Sequence, residues 1–318
     1  MTRVAVIDIG SNSIKCLVAT RNTHQQLIPV SEKTLPVRIS TGINASNPRL
    51  SAEAIIHGVQ AVSELLQFAA QHAPLAAIKI VATSAVRDAT NQEDFKNALN
   101  TIKAPPLTIL SGDEEAFWIA QGILEDPSIP PTVDNPTIVD LGGGSLELVS
   151  LHQRNIVAKA SLQLGAVRMT EAIRPFPQDP LSVPEIRTLQ TQTRAALAQS
   201  GIQPAQTLLA TGGIVTVWRA MIAASNNQTL ISTSPLLNKS HLQSWITALK
   251  TMTWEERVSI QGLPPSRADI FPTGIVILDT VMEWAKTDTL MHSFYNLRYG
   301  LAAALIDQLK VHPKSTND

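Results

Sequence analysis

Cysteine is nearly absent: Cys16 is the single thiol in 318 residues. One thiol excludes an intrachain disulfide and any multi-thiolate metal centre, and it suits a reducing compartment. No charge of one sign dominates, since 25 Lys and Arg stand against 26 Asp and Glu for a net charge of −1. That balance excludes a broad basic face for duplex nucleic acid but leaves room for a local basic groove around a small anion. Long apolar runs are missing too; stretches such as residues 275–278 and 301–306 fall far short of the ~20 needed to cross a bilayer. The start, MTRVAVIDIG, runs straight into a strand pattern with an acid inside it, unlike a secretory signal. The seven histidines show no metal-like spacing, so zinc is not expected. With 44% hydrophobic and only 16% charged residues, the chain is too apolar to stay disordered. The expectation is a soluble cytoplasmic protein, and at about 150 residues per domain its length predicts two domains.

What is present is a repeated strand–turn–strand unit. VAVIDIG (residues 4–10) and IKCLVAT (14–20) are β-branched runs joined by Gly10, Ser11, Asn12 and Ser13, which reads as a hairpin. In the second half, TIVDLGGGSLELVSL (137–151) repeats it, so that DIGSNS aligns with DLGGGS: Asp, aliphatic, Gly, two small residues, Ser. A third glycine turn, in LLATGGIVTVWRAMIA (208–223), lies between a strand and a helix. Between the hairpins, Ile55, Val59, Val62, Leu65, Leu66 and Ala69 recur at helical spacing behind a Ser51 cap. AIKIVAT (77–83) reads as a buried strand, SAVRDATNQEDFKNAL as a loop and helix, and LTILSGDEEA (107–116) as a strand entering a helix with an acidic first turn. The Pro-rich residues 125–136 mark a lobe boundary; residues 275–284 and 297–309 read as helices, and VHPKSTND as a frayed polar tail.

A strand ending in a Gly/Ser turn leaves successive amides pointing the same way, and without Cβ atoms an anion approaches them closely. The candidate turns are Gly10–Ser13, the run Gly142, Gly143, Gly144 and Ser145, and Thr211, Gly212 and Gly213, the last backed by a helix N-terminus. Glycine turns also arise for geometry alone, but three of them, two with an Asp in register, predict two lobes that present phosphate-holding hairpins to one cleft. Asp8 and Asp140 would repel a phosphate unless a cation lay between, and Mg²⁺ needs only one or two carboxylates. Asp140 is the better ligand candidate; Asp8 has the alternative of bonding its own turn. Glu147 shares a strand face with Ser145 and is either solvated or functional. A Ser111–Glu114 capping box accounts for Glu114 and leaves Glu115 to look for a chemical role. Arg87 and Arg168 offer planar forks for phosphate oxygens, or else pair with Asp88 and Glu171. Lys15 can reach solvent from its strand, Cys16 reads as a small core residue, and Trp218, Trp254 and Trp284 read as packing.

In this order, VIDIGSNSIKCLV, ATSAVRDATN, ILSGDEEA, IVDLGGGSLELV, LGAVRMTE, LATGGIVTV, RADIFPTGIVIL and LRYGLAAAL resemble the exopolyphosphatase / guanosine pentaphosphate phosphatase family, of the actin-like phosphotransferase superfamily, from residue 4 to about 305. The resemblance implies an α/β fold with two ribonuclease-H-like, actin-like lobes around a central cleft. Lobe I would cover residues 1–124, with a helix at about 300–318 packing back on it, and lobe II residues 125–299. It implies release of terminal phosphate from inorganic polyphosphate, or of the 5′-phosphate of pppGpp, by water with Mg²⁺. The family's acidic trio falls on Glu115, Asp140 and Glu147, its phosphate turns on the three glycine turns, and its chain-contacting cations on Arg87 and Arg168. Expected partners are those substrates, with a homodimer among the compatible assemblies, and neither duplex nucleic acid nor a membrane. Against the pattern the resemblance implies, LRYG at Tyr299 stands in place of L-R-E-G, and the chain is expected to lack the additional C-terminal region of long members. An ATP phosphotransferase, which needs an adenosine pocket, and a non-catalytic alarmone-binding regulator are the alternative readings.

Overall fold

The computed structural model describes residues 2–43 and 48–311; the polar tail from His312 onward lies outside the described residues. By internal contacts the chain forms two units, one up to Ser128 and again from Tyr295, the other Ile129–Phe294.

In the first unit, Val4–Ile9 (β1) is apolar and buried except at Asp8, as suits a strand covered on both sides. It pairs antiparallel with Ile14–Arg21 (β2), which pairs antiparallel with Leu27–Leu35 (β3). The sequence pattern does not mark this third strand, because LIPVSEKTL carries a proline and a polar SEKT run without apolar/polar alternation, and all but Leu27 is half-exposed or exposed. Ala52–Ala70 (α1) starts where the Ser51 hydroxyl caps the Ala54 amide and turns Ala54, Ala61, Val62, Leu65 and Ala69 into the core. Ala77–Ala82 (β4) and Leu107–Ile109 (β5) add in parallel, giving the order β3-β2-β1-β4-β5. The segment expected to be a loop after β4 begins instead with a helical turn, Ser84–Arg87 (α2), followed by Gln92–Thr101 (α3). Gly112–Leu124 (α4) opens with a full capping box between Ser111 and Glu114.

The second unit repeats that wiring. Thr137–Leu141 (β6), Leu146–His152 (β7) and Asn155–Leu162 (β8) form the antiparallel meander, and Leu208–Thr211 (β9) joins β6 in parallel. Around them lie Ala166–Ile173 (α5), Val183–Gln199 (α6) and Gly213–Ser225 (α7). A short edge strand Leu236–Asn238 (β10), Lys239–Ala248 (α8), Trp254–Val258 (α9) and the apolar Phe271–Trp284 (α10) lead to Thr289–His292 (β11). The sheet order, β8-β7-β6-β9-β11 with β10 at the edge, matches the first sheet strand for strand. Trp218 is fully buried in this core.

The last described helix, Leu297–Val311 (α11), belongs to the first unit and packs on α4, β1 and β2. It meets α4 backbone to backbone. A Cβ at Gly122 would lie 1.9 Å from the Asn296 carbonyl oxygen, and one at Gly300 would lie 2.2 Å from that of Trp118. Gly→Ala inside a helix ordinarily stabilises by about 0.5–1 kcal/mol. Here the contact reverses the sign, and overpacking of this kind costs about 1–3 kcal/mol. Gly300→Ala is therefore expected to lower the denaturant midpoint, and a midpoint at or above wild type would contradict the close crossing.

Candidate functional site: three glycine turns and one carboxylate pair

In a trans peptide the carbonyl of one residue and the amide of the next point in opposite directions. Pinning a turn's carbonyls therefore aims its amides. In the turn after β1, the Gly10 amide donates to the Ser13 carbonyl (3.2 Å), and a Cβ at Gly10 would sit 3.1 Å from that oxygen. The Ser11 carbonyl accepts from both the Ser40 amide (3.3 Å) and the Ser40 hydroxyl (3.1 Å), which turns the Asn12 amide the other way. Arg38 Nε holds the Asn12 Oδ1 at 3.0 Å.

The turn after β6 repeats this geometry, with Gly142 donating to the Ser145 carbonyl at 3.0 Å. Behind it, the first amides of α5 are spent on the turn. Ala166 donates to the Gly142 carbonyl (2.9 Å), and Val167 and Arg168 donate to that of Gly143 (2.8 and 3.1 Å). Arg168 Nε takes the Gly144 carbonyl at 2.7 Å. Three consecutive carbonyls thus face α5, so the amides of Gly143, Gly144 and Ser145 face away from it together. This close seating needs glycine ahead of α5, since a Cβ at Gly165 would lie 2.2 Å from the Gly144 carbonyl carbon.

The third turn runs from Thr211 to Gly213 at the start of α7. Gly212 sits at φ +102°, and a Cβ there would come within 2.6 Å of Asp140 Oδ1 and of the Leu141 carbonyl. That left-handed backbone requires glycine. The Gly212 carbonyl accepts from the Thr216 amide (3.1 Å) and hydroxyl (2.9 Å), so the Gly213 amide points outward at a positive helix end. The Arg267 guanidinium covers Gly213, where a Cβ would lie 1.9 Å from its Nη1.

The two hairpins differ in charge at equivalent positions. Asp140 on β6 lies directly opposite Glu147 on β7, and opposite Thr211 on β9. Like charges in such a cross-strand pair repel. Glu147 is only 1% exposed, and its Oε1 accepts from the Ser161 hydroxyl at 2.8 Å. On β1, Asp8 faces Lys15 instead. Asp8 Oδ1 is sealed from solvent without a hydrogen-bond partner, and burial pushes its carboxyl above the ordinary range, against the pull of Lys15 and Arg298. Lys15 is half-buried and lies opposite Asp8 on the neighbouring strand.

Glu115, 8% exposed, is held by Arg87: Nη1 reaches its Oε2 at 2.6 Å and also the Leu110 carbonyl at 3.2 Å. Arg87 lies farther from Asp88, at 3.6 Å. The helix that Ser111 and Glu114 cap therefore turns the next carboxylate inward. Tyr299 is buried; its hydroxyl donates to Glu32 Oε1 (3.2 Å), the oxygen that Arg298 also meets at 3.2 Å. Cys16 is buried, and its thiol is pushed up to about 12 by desolvation.

Sequence reasoning missed Ser40, Arg38, Ser161 and Arg267, whose partners lie 14 to 54 residues away in sequence. Arg267 stands in the RADIFPTG segment, but no spacing links it to Gly213. Among the described residues no three His, Cys, Asp or Glu side chains form a ready metal cluster. The Asp140–Glu147 pair of the second unit nevertheless suits Mg²⁺, which takes one or two carboxylates and fills the rest with water and phosphate oxygens.

No helix among the described residues is long and apolar enough to cross a membrane. The sequence matches the Ppx/GppA phosphatase family model over residues 3–309. It is 30% identical to Exopolyphosphatase 2 of Mycobacterium tuberculosis over 334 residues, covering 96% of this chain and 99% of that protein. It is 29% identical to a guanosine-5′-triphosphate,3′-diphosphate pyrophosphatase of Aliivibrio fischeri over 312 residues, 96% of this chain but 60% of that longer relative. Among solved structures, an exopolyphosphatase from Cytophaga hutchinsonii matches with a TM-score of 0.86 at 20% identity, covering 96% of this chain and 98% of that one. A Ppx/GppA protein from Aquifex aeolicus matches at 0.77 and 24% identity, again over 96% and 98%. These neighbours share the α/β architecture with its two actin-like lobes, and the match along nearly the whole sequence makes this chain a member of the Ppx/GppA phosphatase family.

Proposed function

We propose that this chain is a phosphohydrolase that releases terminal phosphate from inorganic polyphosphate, or the 5′-phosphate of pppGpp, by attack of water. The observation that carries this reading is the turn Gly142–Ser145: three amides aimed together beside the Asp140–Glu147 carboxylate pair. Amides so aimed hold phosphoryl oxygens, and paired carboxylates beside an anion call for a cation. The names of the relatives, Exopolyphosphatase 2 and the pppGpp pyrophosphatase, agree with that chemistry.

The roles divide as follows. The turns at Gly10–Ser13, Gly142–Ser145 and Thr211–Gly213 bind phosphate oxygens through backbone amides, with Arg168 and Arg267 beside two of them adding positive charge. Mg²⁺, with Asp140 as its main ligand and Asp8 in support, would supply charge neutralisation at the transferring phosphoryl group. Glu115 orients the attacking water and takes its proton. Arg87 fixes that carboxylate through one oxygen, so the base enters with a set direction. Glu147 is the second candidate for either task. The transition state of phosphoryl transfer is loose, so positioning and charge compensation carry most of the rate.

Side-by-side phosphate-release assays on long polyphosphate, short polyphosphate and pppGpp, with and without chelator, test the reading. Release that stops on chelation is expected. Tight pppGpp binding without release would favour a regulator, and phosphate passed from ATP to an acceptor would favour a transferase. Glu115→Gln is expected to lower kcat by about 10²–10⁴-fold, the usual worth of a positioned base, with the unfolding transition retained. Near-wild-type turnover would remove Glu115 from that role. Gly165→Ala pushes on the Gly144 peptide without touching a carboxylate. It should raise KM more than it lowers kcat, and an unchanged KM would mean the Gly142–Ser145 turn does not bind substrate.

A further inference from the structure

Behind the third turn lies a buried polar chain that the roles above leave unused. His292, at the end of β11, is 2% exposed. Its Nδ1 lies 3.3 Å from Arg219 Nη1 and its Nε2 lies 3.2 Å from Thr216 Oγ1. A guanidinium only donates, so Nδ1 must accept and the ring proton resides on Nε2. Nε2–H therefore donates to Thr216 Oγ1, and the Thr216 hydroxyl proton goes to the Gly212 carbonyl at 2.9 Å. Each member has its direction fixed by the one before it: Arg219, then His292, then Thr216, then the Gly212 carbonyl.

The head of the chain is anchored as firmly as its end. Arg219 is 4% exposed and donates from Nε and Nη2 to the Thr233 carbonyl. Its guanidinium lies 4.9 Å from the centroid of the Phe294 ring. His292 stays neutral, because burial and the Arg219 charge push it down to about 3. The donor order therefore holds across the physiological range.

We propose that Thr216, His292 and Arg219 are positioning residues for phosphate binding, locking the Gly212–Gly213 peptide with its amide toward the anion. This rests on the reading of Thr211–Gly213 as a phosphate-holding turn. A helical N–H from Thr216 alone would keep the carbonyl near its place; the hydroxyl and the imidazole behind it remove the remaining freedom of that one peptide plane. The arrangement supplies for the third turn what Ser40 supplies for the first and α5 for the second.

The test compares Thr216→Val, which keeps the shape and loses the hydroxyl, with Thr216→Ser, which restores it, and His292→Leu with His292→Gln. Readouts are kcat and KM for polyphosphate, and the Gly213 amide signal in glycine-labelled protein with and without inorganic tripolyphosphate. Losing one neutral hydrogen bond changes an equilibrium by about five- to ten-fold. Thr216→Val and His292→Leu should raise KM by that factor with a smaller change in kcat, and shift the free-protein Gly213 amide. Thr216→Ser should return both to wild type. Wild-type KM and an unmoved amide in both Thr216→Val and His292→Leu would overturn the relay. A wild-type protein that turns over no polyphosphate, and whose Gly213 amide ignores tripolyphosphate, would instead overturn the functional reading; the amide shifts of the ligand-free variants still decide the relay.

Discussion

The arrangement depends on one property of the peptide bond, that its donor and acceptor face opposite ways. Each of the three glycine turns has its carbonyls drawn into the protein: by Ser40, by the first amides of α5 with Arg168, and by Thr216. An anion site made this way needs few charged side chains. The chain can therefore remain electrically balanced overall and still present concentrated positive potential at a few points. It also explains where glycine is indispensable. At Gly212 the backbone is left-handed, and at Gly165 the helix start presses on the turn itself.

Against this shared backbone plan, the two units differ in side-chain charge. At the same position of the repeat, Asp8 meets a lysine and Asp140 meets a glutamate. The first hairpin is internally compensated apart from one sealed carboxylate oxygen, whereas the second holds two facing acids. A duplicated fold has thus been made unequal by a single change of sign on the second hairpin strand. In the proposed function, cation-assisted chemistry would belong with the acidic copy, and anion holding would be common to both.

The hairpins, their aspartates and the caps at Ser51 and Ser111 were legible in the sequence because each is local: a β-branched run, a turn, or an acid three residues after a serine. Glu115 was singled out for the same reason, since the capping box used Glu114 and left its neighbour without an explanation. What the sequence hid is non-local. β3 and β8 are outer strands of their meanders, mostly half-exposed or exposed at apolar as well as polar residues, so neither carries the apolar run of a buried strand. The facing of Asp140 and Glu147 depends on strand register. Arg87 reaches Glu115 across 28 residues, and His292 meets Thr216 across 76. No periodicity encodes such pairs, because they form only when separate elements meet. Tyr299 of LRYG is buried in the first unit with its hydroxyl on Glu32.

The return of α11 to the first unit sets an order of events during biosynthesis. The β1–β2 face against which α11 packs, and the groove along α4 that fits Gly300, have no cover until residues 297–311 have been made. The second unit, entirely encoded between the two parts of the first, is complete earlier. During synthesis, every residue of the second unit is therefore made before the first unit can bury the β1–β2 face under α11.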